Sequence, residues 1–342
     1  MTRPSPGPSL RSGPPSPRSA GRGSLALSAL SAPLPRERVR EAGVRGDLAK
    51  GLETDLAALT TLKWRKRLGE FCFFVPLAVG GVWLTLHGLA WPGVIITALA
   101  LNAFVLLMHE GMHGVLFGGR ATNRIASVLL GSTFLMSFSA YRVLHTRHHK
   151  YLGDKRDPDD YQNYVGNRPL LWLLHFMRLL VGSPLYLVLI PLLALKYGSA
   201  EERRDILAEY AFLLIVYSLL LHFVSLPLLG VAWGIPLLIV GTLTSVRGFT
   251  QHGITDASDP YLASRTVLPN PIVGFFLLHE NYHLEHHLFP EVPSYHLTRL
   301  HALIWPRLPR AVSGRSYLGF LLSFLAASRR LDDTPIGLER TT

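Results

Sequence analysis

Apolar residues run in long, nearly unbroken stretches through residues 69–249, and the polar positions collect in a few compact blocks between and after them. Stretches at roughly 69–90 and 92–113, parted by Trp91-Pro92, each reach the ~20 residues a helix needs to cross a bilayer. The run 125–140 is shorter, is bounded by Arg124 and Arg142, and predicts a helix lying at the membrane interface. Three more apolar stretches follow, at roughly 169–195, 206–229 and 231–249. The first carries His175 and Arg178 and is interrupted by Pro184 and Pro191, which suits an interfacial segment; the other two read as a tight hairpin about Leu229-Gly230. Only two of these three can cross if the histidine-rich blocks at 109–113, 145–149, 251–252 and 279–287 are to meet on one side. The pattern therefore predicts an all-α integral membrane protein with about four transmembrane helices, interfacial helices, and a cap that carries the histidines. The repeats that mark inverted transporter halves are not evident.

Composition supports this and narrows it. Of 342 residues, 49% are hydrophobic and only 17% charged, against about a quarter charged in an average soluble domain. A net charge of +11 would suggest nucleic acid in a soluble protein. Here the basic residues flank the apolar runs, as in Lys63-Trp64-Arg65-Lys66-Arg67, which fits anionic lipid head groups and the cytoplasmic end of a span; no nucleic-acid partner is expected. The single cysteine, Cys72, excludes an intramolecular disulfide and a cysteine-rich metal site. Residues 1–36 lack Asp and Glu and are rich in Ser, Pro, Gly and Arg, a composition expected to be disordered, with a transit peptide or an early start codon as alternative origins. The expected division is a disordered or polar extension over 1–62 (a polar helix at 37–62), a membrane domain over 63–310 and a C-terminal tail over 311–342.

The candidate chemistry lies in the histidine blocks. On a helix, His109 and His113 at i, i+4 share a face, as do His145, His148 and His149 at i, i+3, i+4. In HENYHLEHH, His279, His283, His286 and His287 at i, i+4, i+7, i+8 fall within an arc of roughly 100° if the whole stretch is helical. Faces so rich in imidazole pack poorly and are costly to desolvate unless the rings bind something. Neutral imidazole is a ligand for iron, zinc, copper and nickel. Three such faces, with His252 at the end of the last crossing, exceed the four ligands of one tetrahedral zinc; the surplus points to two metals. Isolated histidines such as His87, His175, His222, His296 and His301 read as structural. One rival reading is an intramembrane zinc protease, since HEGMH satisfies H-E-x-x-H with Glu110 as base; it leaves HTRHH and HENYHLEHH without purpose.

These blocks resemble the three histidine boxes of the membrane fatty acid desaturase superfamily: HEGMH at 109–113, HTRHH at 145–149 and HLEHH at 283–287, with similar neighbouring text in HTRHHKYLGDKRDPD and NYHLEHHLFPEVP. The resemblance covers roughly residues 65–310. It implies a non-haem di-iron centre at the cytoplasmic face of the membrane, the bacterial inner membrane being the expected one. The ligands it implies are His109, His113, His145, His148, His149, His283, His286 and His287, with His252 as a further one. Glu110, Asp154, Asp157 and Glu285 are candidates to orient ring N–H groups; His279 lies outside the box, as a supporting residue or a substitute ligand.

The implied activity is O2-dependent desaturation of a fatty acyl or acyl-lipid chain, with a hydroxylase or ketolase on a carotenoid or other lipid as the same-fold alternative. Such chemistry needs two iron ions, O2 and two external electrons. The chain shows no fused cytochrome b5-like domain, GxGxxG fingerprint or cysteine cluster. A separate ferredoxin or cytochrome b5-like donor with its reductase is therefore expected; Arg120, Arg124, Arg142, Lys150 and Lys155 suit attraction of an acidic donor and contact with lipid head groups equally well.

Overall fold

A computed structural model describes residues 44–256, 259–308, 310–336 and 338–339; the stretch expected to be disordered, 1–36, lies outside them. After a helical turn at 44–49 the chain forms α1 (Glu53–Leu59), α2 (Trp64–Leu86), α3 (Ala90–Met112), α4 (Arg120–Ser132), α5 (Phe138–Tyr151), α6 (Arg168–Tyr197), α7 (Ala200–Phe223) and α8 (Leu226–His252). There follow β1 (Arg265–Val267), α9 (Pro271–Phe276), α10 (His283–Leu288), α11 (Leu297–Ile304), β2 (Ala311–Gly314), α12 (Tyr317–Ser328) and β3 (Leu338–Glu339). Four helical stretches are long and apolar enough to cross a membrane: Glu53–Leu86, Ala90–Met112, Ala200–Phe223 and Leu226–His252. The protein is an all-α integral membrane protein, as the apolar pattern predicts.

Helix α3 is the axis of the bundle. Its apolar window is 72% buried, against 17% for each of the other three crossings, whose remaining faces present leucines and valines outward. Helices α2 and α3 touch backbone to backbone. A Cβ on Gly81 would lie 2.9 Å from the Gly93 carbonyl oxygen, and one on Gly93 would lie 2.5 Å from that of Gly81. Only small residues permit this approach, the usual device where lipid removes the hydrophobic drive between helices.

Several boundaries differ from the sequence-based expectation. Trp91 and Pro92 sit in the first turn of α3, and the reversal falls just before, at Gly88 with φ 87°. The α7–α8 hairpin turns at Val224-Ser225, not at Leu229-Gly230. Ser225 precedes Leu226-Pro227 at a helix start, where proline's missing N–H costs nothing, and the chain then passes through Gly230 in a helical conformation with φ −57°. Helix α6 bends by 103° between Arg168–Gly182 and Pro184–Tyr197, because proline removes a helical hydrogen bond and clashes with the preceding turn.

Segments toward both ends of the described residues pack against the body of the protein. Leu48, Leu56 and Leu59 pack with Leu284, Leu288, Phe289, Leu297 and Leu300, so residues 44–59, expected within an extension, form part of the cap. In the segment expected as a tail, β2 pairs in parallel with β1, and Phe320 and Phe324 of α12 pack on Trp172 and Phe249. Both contacts join segments far apart in sequence, which is why the local sequence pattern did not reveal them.

Candidate metal centre

Four separate elements bring the histidines together. Box one closes α3, with His109 in its last turn and His113 as its cap; box two occupies the C-terminal half of α5; His252 ends α8; and box three forms α10. Ring nitrogens of His109, His113, His145, His149 and His286 lie within 4.8 Å of one another, and so do those of His148, His252 and His287. His283 joins the second group: its Nε2 is 2.8 Å from that of His252 and 3.1 Å from that of His287. The two groups adjoin where the rings of His149 and His287 stack with centroids 4.1 Å apart.

The chemistry of this arrangement follows from burial and proton count. His286 is 0% exposed, yet neither of its ring nitrogens has a hydrogen-bond partner, and Nε2 of His149 is likewise buried and unpartnered. Leaving such groups unpaired is costly, so the cluster is built around something that uses lone pairs. Burial, reinforced by the surrounding imidazoles, holds His145, His149, His286 and His287 well below the ordinary histidine value. They are neutral near pH 7 and available as ligands. The donor set fits two transition-metal ions.

Acidic residues divide into those that meet the cluster and those that do not. Asp157, fully buried, accepts from Nδ1 of His148 at 2.8 Å, which fixes the tautomer and turns Nε2 toward His252. Burial alone would depress the His148 pKa, but the Asp157 carboxylate overrides it and the net shift is upward. Glu110 lies in a group with His109 and Glu280, but its Oε2 is held by Arg67 at 2.5 Å and by the Ser294 backbone N–H at 2.9 Å. A carboxylate bound in this way is poorly placed to act as the base of a zinc protease. Asp154 pairs with Arg156 on the surface, and Glu285 accepts from Thr266 and His301, both at 2.5 Å, so neither orients a clustered ring.

His279 stands apart. Leu278 and His279 have φ of 46° and 63°, a left-handed pair that side chains adopt only at a cost, and the helix begins at His283. The helical face read from the sequence is therefore broken, and His279 turns toward Thr298 Oγ1 at 3.4 Å. The same turn delivers Glu280, which sequence periodicity did not select: its carboxylate lies 3.5 Å from Nδ1 of His109 and 4.0 Å from that of His283. The signal available was an acid directly beside a histidine block.

A cavity of about 360 Å³ leads from His109, His145, His148, His252 and His283 between α3, α6 and α8. It is lined mostly by apolar side chains such as Val105, Leu106, Phe134 and Ile190, and it includes Leu180 and Leu238, which are 76% and 62% exposed. The cavity thus reaches the outer, lipid-facing surface between α6 and α8.

A buried imidazole cluster at the ends of membrane helices, facing an apolar cavity, defines a membrane-embedded metal-dependent oxidoreductase class. Residues 87–319 match the family model for fatty acid desaturase, and the chain belongs to that family. Among curated relatives, it is 27% identical over 239 residues to the sphingolipid delta(4)-desaturase/C4-monooxygenase DES2 of Mus musculus, covering 63% of this chain and 67% of that one. It is 26% identical over 230 residues to the beta-carotene ketolase of Paracoccus sp. (strain PC1), covering 66% and 77%. With the endoplasmic-reticulum omega-6 fatty acid desaturase isozyme 2 of Glycine max it shares 27% over 249 residues, covering 61% and 64%. The protein is an oxidoreductase of the desaturase type.

Proposed function

We propose that the protein is an O2-dependent di-iron lipid desaturase. The observation that carries this reading is the convergence of two groups of closely spaced imidazoles, buried or half-buried, at the inner end of a cavity that reaches the lipid-facing surface. His109, His113, His145, His149 and His286 would hold one iron; His148, His252, His283 and His287 would hold the other. The chemistry two irons bring to such a site is oxidation of an unactivated C–H bond, which no side chain can perform. Overall, one saturated –CH2–CH2– unit, O2, two electrons and two protons give one double bond and two waters. The chain's own residues prepare the site. Asp157 fixes the His148 tautomer, burial favours the unprotonated rings of His145, His149, His286 and His287, and the cavity walls exclude water and hold one stretch of an alkyl chain against the histidines. A separate ferredoxin or cytochrome would supply the electrons at the cytoplasmic face, an orientation that the basic edge at 63–67 supports under the positive-inside rule.

A second reading, hydroxylation or ketone formation at the same centre, is favoured by the names of the relatives, which include a C4-monooxygenase and a carotene ketolase. Both outcomes are separated by expressing the protein in a bacterial membrane with a matched electron donor and analysing the lipids for double bonds against hydroxyl or keto groups. The purified protein should carry about two irons per chain, given an imidazole supply beyond the four ligands of one tetrahedral ion. One zinc and no iron would sink the reading. His148→Ala should abolish turnover while membrane insertion persists.

A further inference from the structure

Two cations stand inside the membrane-facing cavity, each with one buried donor left unpartnered. Arg178 of α6 and Arg247 of α8 both line it, and Nε of Arg178 and Nη1 of Arg247 are buried without a hydrogen-bond partner. The guanidinium of Arg178 lies over the rings of Tyr161 and Phe249, 5.5 and 6.0 Å from their centroids. It rests against α8 where that helix has no side chain: a Cβ on Gly248 would lie 3.1 Å from Nη2 of Arg178. Of the acids that line the cavity, Asp159 lies within electrostatic reach of Arg178, whose guanidinium also hydrogen-bonds Tyr161. Asp159 accepts from the Tyr186 hydroxyl at 2.9 Å, and Glu280 faces His109 and His283. The Thr244 hydroxyl, on the same wall, is also buried and unpartnered.

Cations at membrane depth are expensive and mark a ligand path, and one carboxylate shared with Tyr186 does not balance two guanidiniums. We propose that Arg178 and Arg247 form a head-group site within the cavity, holding the compact anionic oxygen head of a single-chain lipid beside the histidine centre. Size supports a compact head. At about 360 Å³ the cavity is at the small end of the range of ~300–1,000 Å³ for small-molecule pockets, too little for a nucleotide-sized carrier together with an alkyl chain. Arg247 precedes His252 by five residues on one helix, about 7.5 Å along the axis on the side toward Leu238. Leu238, at the lipid-facing end, lies about 21 Å from His252 on the same scale. The hydrocarbon tail would therefore run outward between α6 and α8 toward the bilayer, with its polar end inside.

The site assignment depends on the proposed oxidase only for the fate of the bound carbon, so binding tests it separately. Radiolabelled palmitate, hexadecyl phosphate, hexadecanol and hexadecane would be equilibrated with the full-length protein in detergent, and metal content measured on the same samples. One anionic probe should bind at least tenfold more tightly than hexadecanol, and whichever is tighter identifies a carboxylate or a phosphate head. Arg178→Gln and Arg247→Gln should each bring that probe toward the hexadecanol value while leaving hexadecanol binding and metal content unchanged. Should Arg178→Gln fail to fold, Arg247→Gln and Gly248→Ala, which crowds the Arg178 guanidinium, give the same readout. Equal binding of hexadecanol and both anions to the wild type, or undiminished anion binding in the folded variants, overturns the proposal. Loss of the two-iron content in the wild type would refute the oxidase reading and leave the head-group site standing.

Discussion

Replacing Asp157 by Asn keeps the size and the shape of the side chain but removes its charge. In the native protein Asp157 is 0% exposed and its Oδ2 lies 2.8 Å from Nδ1 of His148. Its Oδ1 accepts from the Asp159 backbone N–H at 2.9 Å, a bond that Asn can keep. The Asn NH2 then faces Nδ1 of His148, so the ring loses both its acceptor and the charge, a hydrogen bond to a charged group contributing about 1.5–3 kcal/mol. Losing a carboxylate behind a metal-bound histidine typically costs 10–100-fold in metal affinity, and the same range is expected here for one of two ions. A pH series separates this from simple loss of structure. Because the metal-free His148 pKa is raised, protons compete with metal as pH falls through that raised value, and apparent affinity drops there first. In Asp157→Asn the drop should move to lower pH, while affinity at pH 8 is weaker than wild type. The linked stability has a definite sign: the His148–Asp157 contribution to the metal-free fold is full below the ordinary histidine pKa and is lost as pH rises through the raised one. The assay is competition against a chromophoric chelator in detergent, with monodispersity checked by size exclusion. Unchanged affinity with an unchanged pH profile would refute the claim that Asp157 orients and charges His148.

Arg67→Met should strand the Glu110 carboxylate, since the two side chains are 2% and 1% exposed and pair at 2.5 Å; a loss of about 3–5 kcal/mol is expected, read as a large fall in the midpoint of heat-induced aggregation, and Arg67→Lys should recover part of it. Gly93→Val places a branched side chain where even a Cβ would lie 2.5 Å from the Gly81 carbonyl oxygen, so a cost of at least the ~1–3 kcal/mol of ordinary overpacking is expected, and equal thermal midpoints would exclude the close α2–α3 contact. His279→Ala should keep the full metal content while His283→Ala lowers it, because only the latter meets the ring nitrogens of His252 and His287; loss of metal in both would restore His279 as a ligand. Glu285→Gln should loosen residues 279–301 and raise their hydrogen exchange without changing the pH dependence of metal affinity, since Glu285 binds Thr266 and His301 and no clustered ring.

The crossings and the histidine faces were legible because both rest on local rules: run length for the bilayer, and i, i+3, i+4 spacing for a helical face. Box two obeys that spacing within one helix, so the faces of His145, His148 and His149 could be read directly. The rule failed at His279, where two left-handed residues end one helix and no glycine announces the turn. It also could not assign the acids, because an aspartate's partner depends on loop geometry. Asp154 and Asp157 stand three residues apart in the same loop, yet one faces solvent with Arg156 and the other faces His148. The roles of the segments toward both ends were hidden for a different reason. Leu56 and Phe324 find their partners more than 70 residues away, and nothing in their own segments records that distance.

Box three shows why those distant parts are needed. Helix α10 has only six residues, far below the ~12–15 at which an isolated helix becomes even marginal in water, yet it must hold His283, His286 and His287 in place. Its support comes from every side. Leu284 and Leu288 are buried against α1 and α11; Glu285 is pinned between Thr266 of β1 and His301 of α11. Strand β1 is in turn fixed by β2 and by Arg265, whose buried guanidinium binds the carbonyl oxygens of Thr250, Gly253, Ile254 and Ile336. Because the first three of those carbonyls lie at the end of α8, one arginine couples the strand behind box three to the helix that presents His252. The box-three part of the second histidine group is therefore held by tertiary structure, on a helix too short to be stable alone. Residues 44–59 and 311–336 are part of the metal centre's framework although none of them faces the cluster.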